Sequence, residues 1–229
     1  MISVIIPTLN ADSDLAPTMA ALVPAAVEGL VREVIVVDGG STDGTAALAD
    51  QAGANFVTRS GGRGYQLLAG AHRARFPWLL FVHADTVLEA GWEREASAFM
   101  DAIDAGKRPL AAAAFRFALD DEGFRPRLLE WLVLLRCALF RLPYGDQGLL
   151  MPKLLYAEIG GHSPMPLMED VDIVRRLKRR RVVMLRARAI TGAQRFRRDG
   201  YLRRSARNLT CLGLYFLRVP TRVLSRMYG

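Results

Sequence analysis

The chain has 229 residues, of which 51% are apolar and 24% are charged, a balance that excludes fibrous and disordered classes and suits one globular domain with or without an appendage. The formal charge of +8 is unevenly spread: residues 1–124 carry 9 Lys and Arg against 16 Asp and Glu, a net of −7, whereas residues 125–229 carry 22 against 7, a net of +15. The second part is therefore expected to face nucleic acid, an anionic membrane or a phosphorylated substrate.

Three features of the sequence bear on location. The first residues lack the basic leader and cleavage site of a secretory signal. Apolar runs are interrupted by arginines before they reach the ~20 residues that a membrane-spanning helix needs. Cys137 and Cys211 lie far apart without CxxC spacing and are predicted to be buried free thiols. A cytoplasmic protein is the resulting prediction.

The first part of the chain alternates strand and helix patterns. Short β-branched or apolar runs predict strands at residues 2–6, 33–37, 55–58 and 78–82. Between them, a helix is predicted at 16–30, and its prolines are expected to kink or split it. A second helix is predicted after Asp38, with Ser41 or Thr42 as its N-cap and Gly53 as its end. A third is predicted at 63–75. This alternation is typical of an open α/β sheet with parallel strands.

The second part has a looser pattern. Helices are predicted at 90–105, 126–142 and 169–180, and strands at 111–119, 148–151 and 182–185, the last of which closes the domain. A basic amphipathic helix follows over residues 201–227, broken at Pro220. The predicted organisation is a domain over residues 1–200 with a C-terminal helical appendage over residues 201–229.

Polar side chains follow the predicted strands where each one ends. Thr8 and Asn10 follow the first strand, Asp38 the second and Asp85 the fourth. Ligands of open α/β sheets bind at the carboxyl ends of the strands, so these groups are expected to share one crevice. Each Asx residue taken alone also suits a turn or helix cap, and the joint placement favours the crevice.

Several common sites are absent from the sequence. GGSTDGT, after the second strand, matches neither GxGxxG nor GxxxxGK[ST], and PTLN stands where a dinucleotide-binding or methyltransferase loop would have its glycines. Spaced Cys/His clusters and a GxSxG elbow are also missing, which disfavours a zinc site and a serine hydrolase.

Four segments resemble, in order and spacing, the motifs of family 2 glycosyltransferases: VIIPTLN (4–10), VVDGGSTDGT (36–45), VHADT (82–86) and LMEDVDIVRRL (167–177). GRGYQLLAGA (62–71) and YGDQGLL (144–150) further resemble a bacterial subgroup of small members, the transferase 2 group associated with radical-SAM/selenodomain proteins. The resemblance covers residues 1 to about 185. It implies a GT-A fold, an α/β fold with an open, mostly parallel sheet flanked by helices, to which the basic C-terminal helix is added.

The resemblance also implies a donor site for a nucleotide-diphosphate sugar. Asp38, with Gly39, would contact the nucleobase or ribose, and Pro7, Thr8 and Asn10 would line the same pocket. Arg63 starts a helix behind two glycines, so it would meet the diphosphate unless it is an ordinary surface arginine.

Asp85 is the implied ligand of a Mn²⁺ or Mg²⁺ ion that also binds phosphate oxygens. His83 stands where family members commonly have a second aspartate, which predicts weak metal binding until the donor arrives. His83 itself is expected to contact ribose or phosphate, or to pack at the strand end.

For the chemical step, the resemblance assigns Asp170 as the base that takes the proton of the acceptor hydroxyl, with Glu169 in support. Asp146 and Gln147 would bind the sugar or acceptor, and His162 either lines the acceptor site or is inert. Two other aspartate pairs are rejected as metal sites: Asp170 and Asp172 point about 200° apart on a helix, and the pair at positions 12 and 14 is expected to cap one.

The implied function is an inverting, metal-dependent glycosyltransferase acting on an unidentified hydroxyl acceptor, which would be lipid-linked, a glycan or a small metabolite. A nucleotidyltransferase on a related core and a non-catalytic basic RNA- or membrane-binding module are the alternatives. The sequence shows no RNP1, KH or helix-turn-helix pattern, so nucleic acid is not the expected partner.

The C-terminal helix combines apolar and basic residues, and two placements are open for it. One is on an anionic membrane, which would attach the protein at the inner face of the membrane, and the other is on the domain with a basic outer face. The residues that suggest both are Leu209, Leu212, Tyr215 and Phe216 beside Arg203, Arg204, Arg207, Arg218 and Arg222.

Overall fold

The first strand, β1 (Ile2–Thr8), lies in the parallel half of the sheet and is buried along its whole length. It is flanked on both sides by parallel neighbours, β2 (Val31–Asp38) and β4 (Trp78–Phe81), and β3 (Asn55–Thr58) extends the sheet beyond β2. These strands confirm the predicted runs to within two residues at each end. The structure, a computed structural model, describes residues 1–228, so Gly229 of the predicted appendage lies outside the described residues.

The rest of the sheet is of mixed direction. It contains β5 (Thr86–Leu88), β6 (Ala112–Asp120), β7 (Leu149–Pro152) and β8 (Val182–Gly192). The described residues form one eight-stranded sheet in the order β3-β2-β1-β4-β7-β6-β8-β5. Strand β7 runs antiparallel to β4 and β6, whereas β8 is parallel to β6 and antiparallel to β5. The predicted fold class, an open and mostly parallel α/β sheet, is confirmed.

Helices cover both faces of this sheet. Their bounds, in chain order, are α1 (Asp12–Ala20), α2 (Val23–Val27), α3 (Thr45–Gln51), α4 (Arg63–Arg73), α5 (Trp92–Asp104), α6 (Phe124–Phe140), α7 (Lys153–Glu158), α8 (Glu169–Leu177), α9 (Gln194–Asp199), α10 (Tyr201–Phe216) and α11 (Thr221–Tyr228).

Alternate residues of β1 enter two separate cores. Val4 and Ile6 pack with Trp92 of α5 on one face, and Ile5 packs with Leu67 of α4 on the other, as the two-residue period of a strand requires. Gly70 brings α4 close to the sheet, since a Cβ there would lie 2.5 Å from Ile5 Cγ2. This close packing sets the first turn of α4 beside the ends of β1 and β2.

Some predicted elements are wrong in their bounds. The helix predicted at 16–30 begins at Asp12 and is split in two before Val23, and Pro24 lies in the first turn of the second piece. Asp12 and Asp14 lie within the first turn of α1 and make no side-chain cap bond. The prediction that Ser41 or Thr42 caps the next helix is also wrong, because α3 begins at Thr45. Ser41 N donates instead to the Asp38 side chain, and Thr42 N donates to the Asn10 side chain.

The strand predicted at 182–185 continues to Gly192, and β5, α7 and α9 were not predicted. The extension of β8 matters for the site, since residues after Gly192 then lie at the sheet edge.

The C-terminal helices pack on the domain. The predicted break at Pro220 separates α10 from α11. Cys211 and Leu224 are buried against Leu167, Met168 and Val171 around the start of α8. Both cysteines are buried and free, as predicted. Within residues 1–228, none of the helices is long and apolar enough to cross a membrane.

Candidate functional site

A solvent-open crevice lies at the carboxyl ends of β1 and β4. It is lined by six of the residues predicted from the sequence, Pro7, Thr8, Asn10, Arg63, His83 and Asp85. Four further polar side chains that the sequence analysis did not single out as ligands also line it: Asp14, Gln66, Arg195 and Ser225. The predicted convergence of strand-end residues is therefore present in the fold.

Asp38 organises the loop beside this crevice. Its carboxylate accepts hydrogen bonds from Thr8 Oγ1 at 2.9 Å, Gly40 N at 2.8 Å and Ser41 N at 2.7 Å, and a further one from Ser41 Oγ. Burial alone would raise the pKa of Asp38, but the bonds from Ser41, Gly40 and Thr8 outweigh it and lower the pKa, so the group is ionised. A nucleobase would have to exchange one of these bonds to contact Asp38 directly.

Gln66 ties the first two strand ends together. Its Nε2 donates to Thr8 O and to Val37 O, both at 2.8 Å. A Cβ on Gly39 would lie 3.3 Å from this nitrogen, so Gly39 gives the amide its space. Asn10 closes the loop from the other side, with a left-handed φ of 49° and its Oδ1 accepting from Thr42 N at 3.0 Å. No sequence signal pointed to the role of Gln66 in joining the strand ends, because Gln66 is a polar residue in the first turn of a helix.

His83 and Asp85 follow β4 directly. Burial and the positive charges of Arg63 and Arg195 lower the pKa of His83 well below its usual value, so the imidazole is neutral. For Asp85, burial raises the pKa, the charge of Arg195 opposes that rise and Asp14 adds to it. Arg195 therefore belongs electrostatically to this pair. It lies just beyond the end of β8, which the sequence analysis placed seven residues too early.

Arg63 begins α4 as predicted, and it points to a carboxylate. Its Nε lies 3.0 Å from Oε1 of the fully buried Glu169, and its Nη1 is 3.5 Å from His83 Nε2. Burial raises the pKa of Glu169 to about 7, against the opposing charge of Arg63. The left-handed Gly62 and the helical Gly64 fit this helix start against the Ser163–Pro166 loop, where a Cβ on either would collide with backbone atoms.

Asp170 is held at the first turn of α8 by two backbone groups. Gly145 N donates to its Oδ2 at 2.8 Å, and Val171 N donates to its Oδ1 at 2.7 Å. Gly145 also lies close to His83, since a Cβ added to this glycine would lie 2.6 Å from His83 Nε2. The predicted base and the predicted donor-site histidine thus meet across one glycine, and both line a small inner pocket next to the crevice.

Asp146 is within electrostatic range of both the metal candidate and the base candidate. Its Oδ1 is buried and has no hydrogen-bond partner among the described residues. Burial raises the pKa of Asp146 to about 6, with Arg136 opposing and the charges of Asp170 and Asp85 adding to the rise. A buried acceptor without a hydrogen-bond partner, in the field of two other carboxylates, suits a ligand hydroxyl or a cation.

Gln147 and His162 are placed differently from the crevice residues. Gln147 points inward: its Nε2 donates to Phe115 O at 2.9 Å and its Oε1 accepts from Arg136 Nη2 at 3.1 Å, so it is not brought to the crevice. His162 is buried and lines the inner pocket, where its ring packs edge-on against Phe81 and its Nδ1 is 3.2 Å from Tyr156 Oη. Burial and Arg176 lower the pKa of His162 to about 3.

Asp85, the predicted metal ligand, lines the crevice. Among residues 1–228, no group of three or more His, Cys, Asp or Glu side chains could hold a metal ion by itself. A hard cation would therefore need Asp85, the orphaned acceptor of Asp146 or the phosphate oxygens of a bound ligand in combination. The residues fit an ion that binds together with a diphosphate.

Comparison with known proteins identifies the fold and the family. Residues 3–147, well over half of the chain, match the family model described as glycosyl transferase family 2. No curated protein matches the chain significantly.

Among solved structures, glucosyl-3-phosphoglycerate synthase from Mycobacterium tuberculosis with Mn²⁺, UDP and glucosyl-3-phosphoglycerate is 21% identical, with a TM-score of 0.57 over 84% of this chain and 70% of that one. S. aureus TarS 1–349 with UDP-GlcNAc is 17% identical, with a TM-score of 0.62 over 83% of this chain and 58% of that one. A mycobacterial protein is 22% identical, with a TM-score of 0.57 over 84% of this chain. The match spans only 65% of the length of that protein.

At these identities the structures establish the fold, and the family model establishes the relationship. The chain belongs to glycosyl transferase family 2 and has the α/β fold of GT-A glycosyltransferases.

Proposed function

We propose that the chain transfers a sugar from a nucleotide-diphosphate donor to a hydroxyl acceptor, with inversion at the anomeric carbon and with help from Mn²⁺ or Mg²⁺. The observation that carries this proposal is the position of Gly145, which is hydrogen-bonded to Asp170 and lies close to His83 and so joins the candidate base to the donor crevice. Family membership favours sugar transfer over the nucleotidyltransferase and the non-catalytic binding module.

The donor would lie across the ends of β1 and β4. Thr8, Asn10 and the loop organised by Asp38 form the side of the crevice that we assign to the nucleoside. Arg195 and Arg63 supply positive charge for the diphosphate. The synthase and TarS structures that share the fold contain UDP or UDP-GlcNAc, which supports a nucleotide-sugar donor.

Asp85, with phosphate oxygens of the donor, would hold the divalent ion, and Asp146 is the second acceptor within its electrostatic range. When bound, the ion supplies positive charge that neutralises the leaving diphosphate. Mn²⁺ in the synthase complex supports this assignment.

In the chemical step, the acceptor oxygen forms a bond to the anomeric carbon as the bond from that carbon to the phosphate oxygen breaks. Asp170 takes the proton of the acceptor hydroxyl. Its two backbone hydrogen bonds fix the carboxylate in place, and neutral His83 and the Arg63–Glu169 pair border it. Glu169 supports the site by holding Arg63.

Three finer assignments are part of the proposal. The first is membership of the radical-SAM/selenodomain-associated transferase 2 subgroup. A second is a division into a catalytic domain over residues 1–200 and a C-terminal appendage, of which Ser225 borders the crevice. The third is a cytoplasmic location with peripheral attachment to the inner face of the membrane, for which the basic C-terminal helices are the support.

The test is release of nucleoside diphosphate from a panel of nucleotide sugars, with Mn²⁺ or with a chelator. We expect release with Mn²⁺ and a drop to background in Asp85→Ala, while Asp50→Ala on the exposed surface of α3 retains the rate. Unchanged release in Asp85→Ala, or pyrophosphate release from nucleoside triphosphates instead, would overturn the proposal.

A further inference from the structure

The outer face of α6 is apolar over most of its length. Every solvent-exposed position between Leu128 and Phe140 is an apolar residue, and Trp131, Leu139 and Phe140 each expose half or more of their surface. The opposite face of α6 is the one that packs on the domain, since Val133 and Cys137 contact β6. A surface helix normally carries polar residues on its outer side, so this face is suited to a partner other than water.

Arginines frame this face at both ends. Arg125 and Arg127 lie in the first turn of α6, which contains no acidic residue, and Arg141 follows the last turn. Arg127 is paired with Glu130 of the same helix and donates to Asp121 O, so it is engaged within the fold. Positive charge at a helix N-terminus opposes the helix dipole, so Arg125 does not serve the stability of α6 in this way. Arg125 and Arg141 mark the two ends of the apolar face. They are placed to meet negative charge outside the chain.

We propose that the apolar face of α6 docks on the surface of an anionic lipid bilayer, with its side chains among the acyl chains near the headgroups and its terminal arginines on lipid phosphates. Trp, Phe and Leu on one face with basic residues at its borders is the composition of an interfacial helix. The 17 residues of α6 do not form a membrane-spanning segment, so the helix lies along the surface.

A second copy of the chain fits this face less well. Pairing α6 with itself across a two-fold axis would bring Arg125 of one copy near Arg141 of the other in an antiparallel arrangement. A parallel arrangement would set each arginine against itself. Both arrangements place like charges beside the apolar contact, whereas an anionic bilayer complements them.

The docking face is tied to the acceptor side of the site. From the inner side of α6, Arg136 donates to Leu142 O at 3.0 Å and to Gln147 Oε1 at 3.1 Å, and its guanidinium lies 3.6 Å from the centre of the Tyr144 ring. These contacts hold the loop that carries Gly145. A membrane-borne acceptor would thus meet the site beside the bilayer, a consequence that rests on the proposed function, whereas docking itself does not.

The test is cosedimentation of the full chain with vesicles, which needs no sugar donor and is therefore independent of the enzymatic assay. We expect binding to vesicles of phosphatidylcholine and phosphatidylglycerol in equal parts, and about thirtyfold weaker binding to phosphatidylcholine alone. Trp78 and Trp92 are buried whereas Trp131 is 56% exposed, so a blue shift of tryptophan emission on binding reports insertion of this face.

The double variant Trp131→Glu with Leu139→Glu should lose vesicle binding by at least about tenfold. Its matched control is Val27→Glu with Leu154→Glu, which makes the same charge change at exposed apolar sites of α2 and α7 and should bind as the wild type does. Equal binding by the two double variants, or no binding of the wild type, overturns the proposal. So does a wild-type solution mass of two chains that falls to one in the Trp131/Leu139 variant.

Discussion

Arg63 Nε lies 3.0 Å from Glu169 Oε1, and this ion pair joins the start of α4 to the start of α8. Arg63 reaches solvent on one side, whereas the Glu169 side chain is completely buried. The pair therefore fixes two helix N-termini around the site, and it makes the ionisation of Glu169 part of the stability of the fold.

Glu169→Gln should change how stability depends on pH. The pKa of Glu169 is raised in the folded chain from 4.5 to about 7, so the folded state keeps the proton longer than the unfolded state. The contribution of Glu169 to the free energy of unfolding is therefore fully present below pH 4.5, and it is lost as the pH rises to about 7. A shift of this size corresponds to roughly 3 kcal/mol.

We therefore expect the free energy of unfolding of the wild type, relative to Glu169→Gln, to fall across this pH window in urea titrations. Glu158→Gln is the control, because Glu158 pairs with Arg181 on the surface and its removal should leave the profile parallel to that of the wild type. A constant difference between the wild type and Glu169→Gln would contradict this account.

Asp170→Asn should slow the chemical step while leaving donor binding intact. Loss of a general base typically lowers kcat by about 10²- to 10⁴-fold. The matched control on the same helix is Asp172→Asn, whose side chain is bonded to Ser163 and Arg176. If both variants lose activity equally at equal thermal stability, Asp170 is not the base.

Gly145→Ala should impair the site through a steric effect. The added Cβ would lie 2.6 Å from His83 Nε2 and 3.4 Å from Asp170 Cβ, so the ring or the loop must shift. We expect at least about a tenfold loss of kcat/KM, since small misplacements of catalytic groups are costly. Gly213→Ala on α10 meets no atom within 4 Å and should keep full activity. Wild-type kinetics in Gly145→Ala would show that the close approach of Gly145 to His83 is not needed.

Arg195→Gln should weaken binding of nucleoside diphosphates and of nucleotide sugars to a similar extent. Arg195 lines the crevice and acts on the pKa of both His83 and Asp85. Loss of a charge-assisted contact to phosphate should raise Kd by about tenfold. Calorimetric titration measures this change, with Arg203→Gln on the exposed side of α10 as control. Equal affinities in the two variants would remove Arg195 from the site.

The sequence predicted the part of the site that lies directly after β1, β2 and β4. Residues such as Thr8 and Asp85 could be found because each follows a short apolar run whose end is marked by a polar residue, and the sheet brings those ends together. Asp170 was found through the family motif, and its hydrogen bond from Gly145 depends on a loop 25 residues away.

Other site residues had no local sequence signal. Gln66 and Asp14 sit inside helices, where a polar residue normally faces water, and only the packing of α4 and α1 brings them to the crevice. Arg195 could not be told apart from the other arginines of the C-terminal part, because the predicted β8 ended at residue 185 and not at Gly192. Gln147 was predicted as a ligand from the family motif, but its amide donates to Phe115 O inside the fold and does not face the crevice.

The central claim is that Asp85 holds a divalent ion together with the diphosphate of the donor. The most direct measurement is a thermal-shift panel of nucleoside diphosphates and nucleotide sugars, each with and without Mn²⁺, on the wild type and on Asp85→Asn. The account predicts that one nucleotide raises Tm markedly only when Mn²⁺ is present, that Mn²⁺ alone has little effect, and that Asp85→Asn abolishes the joint effect. An equal Tm rise with and without Mn²⁺, or an undiminished joint effect in Asp85→Asn, would contradict the claim.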